Sequence, residues 1–248
     1  MNSGKRFDYI IIGAGSAGCV MANRLSEDPG ARVLLLEAGG KDSSMFIHMP
    51  ASAAIAARDT SITWGFQTEP EPYLDDRSID EIRGRVLGGS SSVNGMVANR
   101  GNPRDYDGWA DQGLPDWSFA HCLPYFRKME TFDRGEDPWR GGNGPQHIET
   151  CPADNPLDQA FVAAGEEAGY PYTEDQNGRQ HEGFHIAQRF THNGKRWSTA
   201  DGYLKPVLSR ANLTLQTQTQ VHRVVFDGKR AVGVEIGHQG AVETIEAE

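Results

Sequence analysis

Cysteine is scarce in this chain: Cys19, Cys122 and Cys151 are its three cysteines in 248 residues. Their number is odd and no two stand in C-x-x-C spacing, so neither a disulfide framework nor a zinc ribbon is indicated, and a reducing compartment fits best. Long apolar runs are missing too, since no stretch approaches the roughly 18 residues of a membrane span. Lys5 and Arg6 precede an apolar run, but that run is short and contains Asp8, unlike a secretory signal. Positive charge is also in deficit. Lys and Arg number 24 against 34 Asp and Glu, a formal charge of −10, which argues against nucleic acid or an anionic membrane surface as main partner. The expectation is a cytoplasmic protein with no integral membrane segment, long enough for one large or two modest domains.

Glycine, by contrast, is abundant. The 29 glycines exceed the average of about 7% for globular chains, and many are clustered. The first cluster lies in Phe7–Glu37, which reads FDYIIIGAGSAGCVMANRLSEDPGARVLLLE. A strand-forming run ends at Ile12, Gly13-Ala14-Gly15-Ser16-Ala17-Gly18 follows, and Ala17, Val20, Met21, Arg24 and Leu25 carry a helical period. Val33 to Leu36 then restores a buried strand before Glu37. A diphosphate needs unpaired backbone N–H groups and the positive end of a helix dipole. Gly13 permits the tight turn, Gly15 lets the backbone approach the phosphates, and Gly18 lets the helix lie close to the sheet. Glu37 can accept from both ribose hydroxyls of an adenosine, and its charge disfavours the 2′-phosphate of NADP.

The second cluster is Gly84-Arg85-Val86-Leu87-Gly88-Gly89-Ser90-Ser91-Ser92-Val93-Asn94-Gly95-Met96. Its small residues and free N–H donors suit close packing against a flat or anionic ligand, and Arg85 could supply a cation. A flexible linker has a similar composition. It would not, however, be flanked by Val86, Leu87, Val93, Met96 and Val97.

Between these clusters, residues 38–80 form a long connection, with a short helix expected over MPASAAIAA and a strand over Ile62–Thr68. Ser118 is expected to cap a helix kinked at Pro124. Gly135 to Pro145 reads as a surface excursion, and Asn155-Pro156 begins a helix with Leu157, Phe161 and Ala164 on one face and Gly169 beyond its end. His181-Glu182-Gly183-Phe184-His185 matches H-E-x-x-H, but Gly183 weakens a helix centre and no third ligand follows. A surface or pocket-lining strand is expected there, with no metal. His48, His121, His147 and His222 are individually uninformative. Ser198 is expected to cap a helix limited by Pro206. The tail reads as a β-meander of Leu213–Gln216, Val221–Phe226, a turn at Asp227-Gly228, Ala231–Ile236 and Ala241–Ile245.

GAGSAG with Glu37-Ala38-Gly39-Gly40, WGFQTEPEP, GRVLGGSSSVNGM and RGNPRDYDGWA, in this order, resemble the glucose-methanol-choline (GMC) family of flavin-dependent alcohol oxidoreductases, closest to its choline dehydrogenase branch. The resemblance runs from Phe7 to the last residues. It implies an α/β fold: a Rossmann-like FAD-binding domain with a βαβ start and a β-meander, plus the beginning of a second, substrate-binding domain. The implied division is 1–152 for the first part of the FAD-binding domain, 153–197 for the start of the substrate domain, and 198–248 for the return.

By the same resemblance Gly13, Gly15, Ser16, Ala17 and Gly18 would hold the FAD diphosphate, with Glu37 and Ala38 at the adenosine ribose. Trp64 would lie near the adenine or its linker, and the Val221 backbone near the adenine. Arg85, Gly89, Ser90, Asn94, Gly95, Met96 and Val97 would pass beside the isoalloxazine. Val93 stands where some members carry a histidine joined to flavin, so FAD is expected to be non-covalent. The family's catalytic histidine and its partner lie towards the C-terminus of a longer unit, of which these residues would be about the N-terminal half. No catalytic residue is therefore assigned here, and the expected partners are a small alcohol and the C-terminal half. Two alternatives remain open: an NAD-dependent dehydrogenase using the first βαβ unit, and a non-catalytic nucleotide-binding subunit.

Overall fold

The computed structural model describes residues 6–238 and 241–248; Lys5 lies outside them. The chain divides into two compact units, one of residues up to Gly95 together with Lys195–Glu248, the other of Met96–Gly194. These cuts differ from the implied domain division, which placed its boundaries after residues 152 and 197.

The first unit is built on β1 (Tyr9–Ile12), α1 (Ser16–Leu25) and β2 (Val33–Leu36). All of β2 is buried, because it is the central strand of a parallel sheet, with β1 on one side and Leu213–Gln216 on the other. A continuous apolar run suits a strand covered on both faces. Leu213–Gln216 was expected in the meander; its register with Val33–Leu36 assigns it to the parallel sheet instead. The other three strands, Thr219–Asp227, Arg230–His238 and Ala241–Glu246, form an antiparallel sheet. Val234, Ile236 and Ile245 of that sheet pack on Phe7, Leu34 and Leu36, so the meander covers one face of the nucleotide sheet.

Helix α1 corrects the helical face expected from the sequence. Its buried residues are Gly18, Cys19, Ala22 and Asn23, whereas Met21 is exposed. The cause is steric: a Cβ on Gly18 would lie 1.9 Å from the Gly13 carbonyl oxygen, so the helix approaches the sheet with its small residues rather than its large apolar ones. Asn23 secures the far side by donating to the Tyr203 carbonyl at 2.7 Å.

The connection after β2 contains the helix Ala53–Arg58, as expected, and the anticipated strand pairs antiparallel, Phe66–Gln67 with Asp80–Glu81 and Thr63 in an isolated bridge to Gly84. Ser198 and Asp201 cap each other, the Asp201 amide donating to Ser198 Oγ at 3.2 Å and the Ser198 hydroxyl to Asp201 Oδ2 at 2.7 Å. A short, widened helical turn over Ala200–Leu204 follows, succeeded by a tight turn at Lys205–Val207 around Pro206.

In the second unit the helices are Pro103–Asp111, Phe119–Met129 and Pro156–Glu167. Asn155 caps the last of these through Leu157 N at 2.9 Å. Its Leu157 and Phe161 are 75% and 67% exposed, so the expected apolar face is largely uncovered. Ser118 makes no capping bond; its hydroxyl pairs with His121 Nδ1 at 2.7 Å, and the helix runs through Pro124. The His181–His185 segment forms neither helix nor strand, and Gly183 has φ of 141°.

Gly135 to Pro145 is not simply a surface excursion. It delivers Arg140, fully buried, to a charged cluster. Glu130 Oε1 accepts from Arg140 Nε at 2.8 Å, Arg100 Nη2 at 2.7 Å and the Gly141 amide at 2.9 Å. Arg140 also donates to Asp175 Oδ1 at 2.7 Å and Gln188 Oε1 at 2.9 Å, with its guanidinium 3.6 Å from the Phe132 ring centroid. Burial alone would raise the Asp175 carboxyl, but the Gln188 amide and the Arg140 guanidinium outweigh it and hold it below the usual range.

Glu130→Gln leaves two buried guanidinium groups undercompensated, and its urea midpoint is expected to fall by the equivalent of about 3–5 kcal/mol. Asp175 has a depressed value, so its contribution is complete above the ordinary carboxylate range and is lost as pH falls through the folded value. Asp175→Asn should therefore flatten the acid limb of a stability-against-pH curve; an unchanged acid limb would remove this role from Asp175.

Candidate functional site

The two glycine clusters meet. The Gly88 amide donates to the Ala14 carbonyl at 2.8 Å, and a Cβ on Gly89 would lie 2.7 Å from Gly15 Cα. Gly13, Gly88 and Gly89 all have positive φ, at 89°, 86° and 54°, conformations that a side chain disfavours. Small residues are thus required twice over, for backbone conformation and for main chain lying against main chain.

A cavity of about 520 Å³ opens where they meet. Gly13, Gly15 and Ser16 from the first cluster line it, as do Gly84, Gly89 and Ser90 from the second. The rest of the wall includes Glu37 and Ala38 at the end of β2, Trp64 and Phe66 of the connection, and Thr219, Gln220 and Val221 of the antiparallel sheet. The N-terminus of α1 faces this space with no side-chain cap and no acidic residue in its first turn, so its leading N–H groups are available to an anion. Trp64 stacks on Phe66 with centroids 5.6 Å apart and planes 7° apart.

Glu37 is 6% exposed. Its Oε2 accepts from the Ala14 amide at 2.8 Å and its Oε1 from the Gly39 amide at 2.8 Å. Burial pushes its carboxyl above the usual range, against the opposing pull of the Gly39 and Ala14 amides and the Arg85 charge. Each carboxylate oxygen retains a second lone pair for a hydroxyl donor.

A second cavity, of about 360 Å³, is lined by Ala53, Ala54, Ala57, Ile82, Ser90, Val93, Asn94 and Gly95. Ser90 lines both spaces. A ligand with a polar, phosphate-bearing end in the first cavity and a flat apolar end in the second matches this pair of linings. The residues present therefore fit a dinucleotide carrying a ring system.

Over residues 7–248 the chain matches the family model described as GMC oxidoreductase. The chain belongs to the GMC oxidoreductase family. It is 52% identical over 236 residues to the mitochondrial choline dehydrogenase of Mus musculus, covering 92% of this chain and 40% of that protein. Among solved structures it is similar to pyridoxine 4-oxidase from Mesorbium loti (TM-score 0.89, 33% identity, 98% of this chain and 48% of that one). It is also similar to an FAD-dependent oxidoreductase from Chaetomium thermophilum (TM-score 0.89, 29% identity, 98% and 44%). This GMC chain thus spans less than half the length of each of these proteins.

Of the site residues expected for a GMC protein, Gly13, Gly15, Ser16, Glu37, Ala38, Trp64, Gly89, Ser90 and Val221 line the first cavity. Ser90, Asn94 and Gly95 line the second. Ala17 and Gly18 lie in α1 and line neither, Gly18 being the packing residue. Arg85 also lines neither; its guanidinium sits 5.5 Å over the Trp64 ring, and the arginine on the wall is Arg83. Met96 and Val97 fall in the second unit, and Met96 holds a left-handed φ of 63°. Ile12, Leu36, Phe66, Arg83, Gly84, Thr219 and Gln220 line the first cavity without having been singled out in the sequence. Ile12 and Leu36 were legible: each ends a parallel strand, where ligands of open α/β sheets bind.

Asp42, His48 and Asp201 bring ligand atoms within 4.8 Å of one another. The position between the two carboxylates is taken by Lys205 Nζ, 2.6 Å from each, so an ammonium already stands where a cation would sit and offsets one of the two negative charges.

Gly89→Ala is expected to push the two clusters apart and weaken nucleotide binding at least tenfold, measured by titration. Gly40→Ala, whose Cβ would meet nothing within 4 Å, should bind as the parent does.

Proposed function

We propose that this chain is the FAD-binding part of an enzyme that oxidises an alcohol to an aldehyde, in the manner of choline dehydrogenase. The contact between the two glycine clusters carries this reading: it creates a first cavity suited to a nucleotide and leads past Ser90 to a second suited to a ring. The Chaetomium relative is described as FAD-dependent and the mouse relative as a choline dehydrogenase; those descriptions support the cofactor and the substrate class. In this reading Gly13, Gly15 and Ser16 hold the diphosphate at the N-terminus of α1, and Glu37 takes the adenosine ribose. Trp64 and Val221 border the adenosine side, while Ser90, Asn94 and Gly95 border the ring. Bound there, FAD would supply a hydride acceptor for the carbinol carbon.

The binding is proposed to be non-covalent. Val93 is 2% exposed and packs among Ile47, Ala56, Ile62 and Val86, and it has no nucleophilic atom to bond a flavin. The base that takes the hydroxyl proton is proposed to lie in a further part of the family unit, so turnover would need that part.

The purified chain is expected to take up FAD, with absorbance near roughly 450 nm, and to release all of it on acid denaturation. Uptake of NAD with no uptake of FAD would point to a nicotinamide enzyme instead. Ribose hydroxyls donating to Glu37 favour its ionised form, whereas burial favours the protonated one. FAD binding should therefore release a proton and strengthen as pH rises towards the raised Glu37 value. Calorimetry in buffers of differing ionisation enthalpy measures that proton, and Glu37→Gln should abolish it while weakening binding about tenfold or more.

A further inference from the structure

Arg196 is 1% exposed and lies behind the wall of the second cavity. Its Nε donates to the Ile47 carbonyl at 2.8 Å, and its Nη1 to the Ser91 carbonyl at 3.2 Å and to Asn94 Oδ1 at 2.9 Å. All three acceptors are neutral. Its Nη2 is buried with no acceptor among the described residues. The nearby acid that its charge senses, Asp201, is itself bound by Lys205 Nζ at 2.6 Å and by the Ser198 hydroxyl at 2.7 Å. Ile47, whose carbonyl it bonds, belongs with Val93 to one buried apolar cluster. The cost of this burial shows in the guanidinium itself, which desolvation pushes down to about 10 despite Asp201.

The arrangement contrasts with Arg140, whose buried charge meets Glu130 and Asp175 directly. A structural arginine could be matched in the same way. Arg196 instead spends its donors on the Ile47 and Ser91 carbonyls and on Asn94, which lines the second cavity, and so holds a positive charge with no carboxylate in contact one side chain away from that cavity. In a water-poor interior such a charge acts strongly on its neighbours.

We propose that Arg196 is a positioning residue with an electrostatic role: it fixes Asn94 against the ring-binding cavity, and its charge, which no carboxylate contacts directly, favours a ligand that becomes more negative there. The proposal rests on the FAD reading above. If FAD occupies the two cavities, Arg196 makes it easier to reduce, because reduction adds electron density to the ring facing the Asn94 wall.

The test is the reduction potential of FAD bound to the full chain, titrated against a reference dye, for the parent, Arg196→Gln and Arg196→Lys. Bound FAD should be easier to reduce in the parent than free in solution. Arg196→Gln should weaken the reduction equilibrium at least tenfold, about 30 mV for a two-electron couple. Arg196→Lys, which keeps the charge, should stay within about threefold of the parent. Three results overturn the role of Arg196 while leaving FAD binding intact: no gain over free FAD, an Arg196→Gln variant equal to the parent, or an Arg196→Lys variant that falls as far as Arg196→Gln. The parent and lysine measurements decide the matter if the glutamine variant does not fold. A parent chain that takes up no FAD overturns both this role and the proposed function.

Discussion

Main chain against main chain, at the point where Gly88 N meets the Ala14 carbonyl and Gly89 lies on Gly15, is the constraint on which the site depends. A side chain at Gly89 would separate two loops that are more than 70 residues apart in the sequence. Close approach leaves the leading N–H groups of α1 and the small residues of the second loop facing one space. The parallel sheet makes this possible by burying β2 on both faces and ending both β1 and β2 at the rim of the cavity. Gly18 then draws α1 down onto the sheet. Packing and site geometry are therefore one problem with one steric solution.

Buried charge is handled in three ways, each with its own consequence. Glu130, Arg100, Arg140 and Asp175 compensate one another and stabilise the second unit. Lys205 bridges Asp42 and Asp201 in the first. Glu37 and Arg196 are different, for their hydrogen bonds go to neutral partners. One stands on the wall of the first cavity and one behind the wall of the second. A charge held without an ionic partner is a cost to folding.

Much of this was legible in the primary structure, and the limits of legibility have a common cause. The strand–glycine–helix–strand order, Glu37 and the second glycine cluster could be read directly, because turns, dipoles and close approach demand particular residues at short spacing. The same holds for Asn155 as a cap and for the β-rich tail. What failed was any inference about which face of an element is covered. Residues of α1 with a helical period, Ala17 and Met21, are exposed, and small residues took the buried face because the helix lies too close to the sheet for large ones.

Local chemistry set the elements, and Gly13 to Gly18 with Glu37 carry the pattern of a nucleotide-binding turn in the sequence itself. Tertiary structure alone decided that Leu213–Gln216 joins β2 rather than the meander, that Arg140 is interior, and that Arg83 rather than Arg85 lines the cavity. It also decided that Arg196, unremarkable in a stretch of polar residues, stands behind Asn94. Local propensity acts over a few residues, whereas desolvation depends on everything that packs nearby, and in this chain those neighbours come from segments as distant as Ile47 and Arg196.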